Sequence, residues 1–591
     1  MKRAFFLLLA TYVLFVPLNA TKYYVSPAGN DLNNGISLPN AFRTLQKAAN
    51  IVKAGDTVLV SDSTYVGFDL RSSGTSAAPI TFIANGSNVI INRRNAITPD
   101  GINIENANWV VIDGFKVINQ PRAGIRAALA NHITVRNNKC LGNQRWGIFT
   151  GFTDYFTAEF NECANSAVEH GIYVSNSSDS AIIRYNRSHD NRAAGLHLNG
   201  DISQGGDGIN HAPQVYGNVL YNNGLGGGSA INMDGNQNAL IYNNVLYNNF
   251  ATGIALFQID GGGPSTGARI YHNTIVQAST GRWAILIVDG AANAIIKNNI
   301  VINQHTFRGS INVDPASRSG LVSDYNILTN RFTLDDNTNI DSTAWKNLGY
   351  DTHSFYSPVI AGLFKNYGTG DLSLLANSKA INFGTAGLTP AINIDINGVS
   401  RPLGAAPDAG AFEAPASAPL PLHWTLSQIN RLKKGIEITG ALADLETSLS
   451  ICLEKWNEYS NLFEVCECRS LNESNQSYHI SFIQYPLKGS HIYRLVAHTN
   501  DGKSLSTQSM SFIIHPEKSI YYPNPTNGIL YLNQSGRDGT TAIIFDESGR
   551  VVKYASAGKG VLDIHALNHG KYLVTLVQGT EIIQSDWVLK N

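Results

Sequence analysis

Tyr173, His197 and Asn232 fall at the same place in a five-residue pattern that recurs along the chain, and each carries a group able to donate or accept a hydrogen bond or a proton. The pattern runs small, apolar, any, apolar, any: GIYVS from Gly171, GLHLN from Gly195, AINMD from Ala230, GIALF from Gly253. In extended backbone, successive side chains point to opposite sides. The second and fourth residues therefore turn inward, and the third and fifth face out. The outward third places read Asn103, Arg126, Phe149, Tyr173, His197, Asn232, Ala255, Leu286 and Asn312, and the fifth read Glu105, Ala128, Gly151, Ser175, Asn199, Asp234, Phe257, Val288 and Asp314. Useful polar groups bunch between Gly171 and Ala230. With neighbouring strands about 4.8 Å apart, His197 is expected between Tyr173 and Asn232, with Asp234 roughly 8 Å away.

Two insertions flank the same place. GDISQGGDGINH (200–211) carries Asp201 and Asp207, and QIDGGGPSTG (258–267) carries Asp260. Insertions between repeats map to loops, often on the binding face. At the strand starts stand Arg145-Trp146, Glu169-His170 and Arg282-Trp283. An Arg-Trp pair offers a clamp for a carboxylate or sulfate beside a flat ring on which a sugar can stack. Three functions fit these residues. Elimination on a uronic-acid polymer needs a cation for the carboxylate (Arg282 or Arg145), a base for the C5 proton (His197 or His170) and an acid for the leaving oxygen (Tyr173). Glycoside hydrolysis needs two carboxyls, Asp234 with Asp201, Asp207 or Asp260. Binding to a carbohydrate without chemistry needs only the aromatic and amide groups. Elimination is the preferred reading, with Arg145, Trp146, Asn199, Asp201, Asp207, Asn232, Asp260 and Trp283 as substrate contacts. The loop acids also allow a calcium site, although the reading favours chemistry without a metal or other cofactor.

These residues can act together only if the repeats stack. The pattern returns about every 23 residues, and a second phase follows in each unit: ITVRNNKCLGN, IIRYNRSHDN, QVYGNVLYNN, ALIYNNVLYNN, ARIYHNTIV and AIIKNNIVIN. Asn138, Asn161, Asn186, Asn218, Asn244, Asn273 and Asn299 align in one column, and Cys140, Cys163, Ser188, Leu220, Leu246, Ile275 and Val301 in the next inward one. The apolar period of two excludes helical repeats. Short strands with amides in register at the bends are what a right-handed parallel β-helix requires. Cys140 and Cys163 then need no redox role, and no disulfide framework is read from the five cysteines.

A predicted amphipathic helix, Phe42 to Val52, would cover one end of the solenoid. The stretch YYVSPAGNDLNNGISLPNAFRTLQKAANIVKAGDTVLVSDSTY (23–65) resembles the opening region of secreted β-helix polysaccharide lyases of the pectate, chondroitin and alginate lyase type. The resemblance covers residues 22–415 and implies a lyase acting on a polysaccharide; GDLSLLANSKAINFGTA (370–386) and RPLGAAPDAGAFE (401–413) resemble last-coil segments. The calcium acids of the related pectate lyases are missing from NRAAGLH (191–197), where His197 stands at the last acidic place. Further on, YYPNPTNGILYL from Tyr521 and Gly570-Lys571-Tyr572 resemble the C-terminal sorting domain of the type IX secretion system of Bacteroidetes, which implies that export machinery as a partner.

The expected organisation is all-β, a right-handed parallel β-helix followed by two small β-sandwich domains. Residues 1–20 read as a signal peptide, 21–415 as the β-helix, 416–422 as a linker, 423–515 as a small β-sandwich and 521–591 as the sorting domain. The protein is expected outside the cell or on its surface, as a monomer. Lys and Arg number 43 against 44 Asp and Glu, a balance that offers no field for nucleic acid.

Overall fold

The computed structural model describes residues 20–414 without a break and most of 423–591. Residues 1–19 of the expected signal peptide, the expected linker 416–422 and residues 500–503 lie outside the described residues. The short strands stack as a parallel solenoid. One twelve-stranded sheet takes a strand from each coil, among them Ile102–Glu105, Ala123–Ala128, Trp146–Gly151, Ile172–Ser175, Leu196–Asn199, Ser229–Asp234 and Thr252–Phe257. All its pairings are parallel until Asn339–Ile340 closes it antiparallel to Phe332–Thr333. The inward second places, Ile125, Ile148, Ile172, Leu196, Ile231 and Ile254, are fully buried in a core that runs the length of the helix.

The second phase of each unit supplies two more short strands with Asn at the bend between them, as in Ile182–Arg184, Asn186 and Arg187–His189. The asparagines form the expected ladder: each side-chain amide donates to the next carbonyl, 3.2 Å from Asn138 to Asn161, 2.9 Å to Asn186, then 3.0, 3.0, 2.9 and 3.0 Å to Asn299. Asn326 adds a further rung at 3.0 Å. Cys140 pairs in register with Cys163, and Cys163 with Ser188, in the next inward column. A second ladder, Asn191 to Asn223 to Asn249, follows the next bend and was not read from the sequence.

Both ends are covered. The N-terminal helix is Leu45–Ala49, shorter than expected; the Thr44 hydroxyl accepts from the Lys47 N–H at its start, and Leu45, Ala48 and Ala49 turn inward beside Phe42. At the other end Trp345, on the helix Ser342–Asn347, lies flat on Phe332 at 4.7 Å. Residues 370–414 therefore do not serve as a last coil, as the sequence suggested. They run back along the flank, where Leu372, Leu374, Ala380, Ala409 and Ala411 bury the outward side chains Val245, Val276 and Ile300. A buried Arg401–Glu413 pair at 2.7 Å pins this segment.

Beyond residue 422, two antiparallel sheets enclose Ile436, Ile438, Leu453, Phe482 and Leu495. A disulfide joins Cys452 and Cys468 on adjacent strands, which the cysteine spacing did not suggest. The last two sheets, between Tyr521 and Lys590, enclose Leu530, Ile544, Leu562 and Val574.

Candidate functional site

Parallel pairing puts Tyr173, His197 and Asn232 side by side on the outward face, in the expected order. The Tyr173 and His197 rings stack at 4.8 Å and 12°. His170, at the start of the Tyr173 strand, approaches from the side, its Nε2 3.0 Å from His197 Nδ1. The Ala194 backbone N–H points at His170 Nδ1 (3.1 Å). That bond fixes both tautomers. Because Nδ1 of His170 must accept, its proton sits on Nε2 and is donated to His197 Nδ1, which leaves His197 with its own proton on Nε2. His197 Nε2 is shut away from solvent with no partner among the described residues. Burial pushes His197 down to about 3 and His170 well below the ordinary imidazole range, the latter helped by His197 and Arg145, so both rings stay neutral.

This changes the role expected of His197. A neutral ring with a proton on Nε2 and an occupied Nδ1 is a hydrogen-bond donor and has no free lone pair for the C5 proton. His170 is likewise spent, accepting at one nitrogen and donating at the other. Beside them, the Tyr173 hydroxyl accepts from Asn199 Nδ2 at 3.2 Å, and the same amide nitrogen lies 3.4 Å from Asp260 Oδ2. Burial raises the Tyr173 phenol, which keeps its proton. The Asn199 carbonyl oxygen is buried and has no partner among the described residues. A phenol, an exposed carboxylate and an amide thus converge on one point.

Comparisons with known proteins agree with this architecture. Residues 23–166 match the family described as Pel9A-like, right handed beta helix region, and 170–338 match the right handed beta helix region. Residues 520–590 match the secretion system C-terminal sorting domain. The chain is a right-handed β-helix protein with a sorting tail. That tail directs it through type IX secretion to the cell surface or the medium. Among solved structures it is similar to a rhamnogalacturonan lyase (15% identity, TM-score 0.40, 61% of this chain and 96% of the other). It is also similar to an alginate lyase from Paenibacillus sp. str. FPU-7 (19%, 0.38, 47% and 95%) and to PfbA, a surface adhesin of Streptococcus pneumoniae (13%, 0.32, 49% and 83%). A 60-residue stretch is 45% identical to the uncharacterized protein YwoF of Bacillus subtilis (strain 168); it spans 10% of this chain and only 13% of that curated relative.

In this β-helix protein the two inserted loops meet, as the sequence suggested, and they wall one edge of the outward face. Ile202 N–H donates to the Asp260 carbonyl (2.9 Å) and Gly262 N–H to the Gly208 carbonyl (2.8 Å). The approach is so close that a Cβ on Gly262 would lie 2.0 Å from the Asp207 carbonyl oxygen. Asp234 builds this wall. Its carboxylate accepts the backbone N–H groups of Ile259 (2.9 Å), Asp260 (2.7 Å) and Gly261 (3.0 Å), and only 1% of the residue is exposed. Asp234 is therefore a loop anchor, and its expected part in catalysis is withdrawn. Asp201 caps the short helix Ile202–Gln204, and Asp207 accepts from Ile209 N–H and His211, so both shape turns. Asn232 flanks His197 and accepts from the Ser229 hydroxyl at 2.9 Å.

The Arg-Trp pairs are not sugar platforms. Trp146 is buried between Phe149 (4.4 Å) and the Arg145 guanidinium (4.8 Å), and its Nε1 donates to Glu169 at 2.5 Å. Arg145 is itself held by Glu169. Trp283 is buried, donating to Asp336. Arg282 is exposed, but its strand lies three rungs from that of His197, about 14 Å away, so it cannot neutralise a carboxylate at Tyr173. Glu169, the hub of this corner, was not singled out from the sequence. Its spacing of 24 from Arg145 and 23 from Trp146, one coil, was the signal. A second polar network on the same face was also passed over: Arg126 bonds to Asn103 (2.7 Å) and Glu105 (3.0 Å), and Arg71 to Asp69 (2.8 Å). Among the described residues no group of three His, Cys, Asp or Glu is placed to share a metal ion, and no helix is long and apolar enough to cross a membrane.

Proposed function

We propose that this protein is an exported polysaccharide lyase that cleaves a uronic-acid-containing polymer by β-elimination at the face around Tyr173, His197, Asn199 and Asp260. The observation that carries the reading is the meeting of the Tyr173 phenol and the exposed Asp260 carboxylate at the Asn199 amide, with the neutral His197 ring stacked on the phenol. Elimination removes the C5 proton, forms a double bond between C4 and C5, and expels the C4 oxygen. Charge builds on the uronate carboxyl as the proton leaves, and fixed donors sheltered from bulk water stabilise such charge most effectively. His197 Nε2–H is closed off from the face and both Asn199 amide hydrogens are engaged, so these two residues position the acid and the base rather than touch the carboxyl. Asp260 is the carboxylate positioned to take the C5 proton, and Tyr173 supplies the proton for the leaving oxygen.

Hydrolysis finds less support. It requires two free carboxyls, and of the four acids considered, Asp234 is saturated by backbone amides while Asp201 and Asp207 hold turns. The discriminating experiment compares Tyr173→Phe and Asp260→Asn with the wild type on a panel of uronate polymers. Each should lower kcat by about 10² to 10⁴-fold, the usual cost of removing a general acid or base, with the fold unchanged. Wild-type turnover in both variants would remove the assignment.

A further inference from the structure

We propose that Tyr155 is the open end of an aromatic stack and binds a pyranose ring of a polysaccharide, at a place separate from the Tyr173–His197 site. Six residues at the turn after the outward sheet share one column: Trp109, His132, Tyr155, Ser180, Ala212 and Asn238. Their register is fixed by backbone bonds from one coil to the next. Trp109 N–H donates to Asn131 O, His132 to Asp154, Tyr155 to Asp179, Ser180 to His211 and Ala212 to Gln237, each acceptor being the residue just before the next member. All six have positive φ, between 50° and 57°, so their side chains leave the turn in the same direction.

The first three rings lie on one another. Trp109 and His132 are 3.7 Å apart and 6° from parallel; His132 and Tyr155 are 4.5 Å apart and 2° from parallel. The next two members are Ser180 and Ala212, so the stack stops at Tyr155 and the face where a fourth ring would rest is uncovered. Tyr155 is 54% exposed.

The surroundings suit a sugar better than an apolar partner. Acids border the shelf: Asp154 uses one carboxylate oxygen on Asp179 N–H (2.9 Å), and Asp179 one on His211 N–H (2.7 Å), which leaves the other oxygen of each for hydroxyl groups. His211, half-exposed and bonded to Asp207, stands at the end of the inserted loop 200–211. A flat ring edged by acceptors fits the apolar face and equatorial hydroxyls of a pyranose.

The test is affinity electrophoresis of the full chain through gels containing polygalacturonate, alginate, chondroitin sulfate or xylan. The wild type should be retarded by at least one of them. Tyr155→Ala should weaken that retardation about tenfold, the scale of one lost stacking contact, whereas Tyr155→Phe should keep it. Ser180→Tyr, which adds the missing ring to the stack and covers the shelf, should abolish the Tyr155-dependent binding without destabilising the protein, and so guards against a folding defect in Tyr155→Ala. Retardation by none of the four gels, or equal retardation of wild type, Tyr155→Ala and Ser180→Tyr, would overturn the proposal.

Discussion

Replacing Asp234 separates the loop-anchor reading from a catalytic one. Its carboxylate accepts three backbone N–H groups from residues 259–261, all charge-assisted and shielded from water. A bond to a charged acceptor contributes about 1.5–3 kcal/mol. Asp234→Asn keeps one acceptor oxygen, able to serve Ile259 and Gly261, but turns an NH₂ group toward the Asp260 N–H. It should cost about 2 kcal/mol, and Asp234→Ala roughly twice that. Because the loop touches only the wall of the face, the loss should appear as local opening rather than as unfolding of the solenoid. Two kcal/mol corresponds to about 30-fold faster amide exchange, so hydrogen-exchange mass spectrometry on the 258–263 segment is the assay. Activity should fall in step with that exchange, because Asp260 loses its position next to Asn199. An Asp234→Asn protein with unchanged exchange in the loop and no activity would refute the reasoning and return Asp234 to the reaction itself.

Asn218→Ala should destabilise the solenoid by about 2–4 kcal/mol in denaturant titration, since it orphans the buried Asn186 N–H and the Ile183 carbonyl; the exposed, outward Gln214→Ala should change stability by less than about 0.5 kcal/mol. Thermal stability should rise as the pH is raised toward about 7 and level off above it. Below the ordinary histidine range the buried neutral rings of His170, His197 and His272 favour the folded state less, because the unfolded chain binds protons that the folded one refuses. Asp408, pushed up to about 7 by burial and by Glu413, acts the other way: between about pH 4 and 7 the folded state holds a proton that the unfolded chain has released, so its contribution falls as the pH rises to about 7 and is flat above. The pH–rate profile should show no inflection near 6.5 from His197, whose burial keeps it neutral down to about 3; an essential group titrating at 6.5 that disappears in His197→Ala would contradict the neutral His197 ring.

The solenoid was legible because its determinants are local and periodic. Each inward Ile or Leu answers to its neighbours two places away, and each ladder Asn to its counterpart about 23 residues on, so alignment alone paired Cys140 with Cys163 and Tyr173 with His197. What stayed hidden depends on which side chain reaches which partner. Trp146 reads as an exposed platform until Glu169, one coil later, is seen to hold its Nε1. Asp234 reads as a free carboxyl until the inserted loop folds its amides onto it, a contact set by loop conformation and by no repeat. The role of His197 turned on one backbone N–H, that of Ala194, which selects the tautomer of His170. Ion pairs one coil apart, such as Arg136–Asp113 and Arg145–Glu169, could have been found by searching for opposite charges at the repeat spacing. The path of residues 370–414 along the flank could not, because their apolar residues have no period and match the outward-facing Val245, Val276 and Ile300 only by shape.

The most direct measurement follows the products formed by the wild type from uronate polymers, recording ultraviolet absorbance and reducing ends together. Elimination places a double bond in conjugation with the carboxyl, so the two signals should rise in equal molar amounts, and both should form about 10² to 10⁴-fold more slowly in Tyr173→Phe. Reducing ends that accumulate without the absorbance would mean hydrolysis, and would contradict the account of this face as a site of β-elimination.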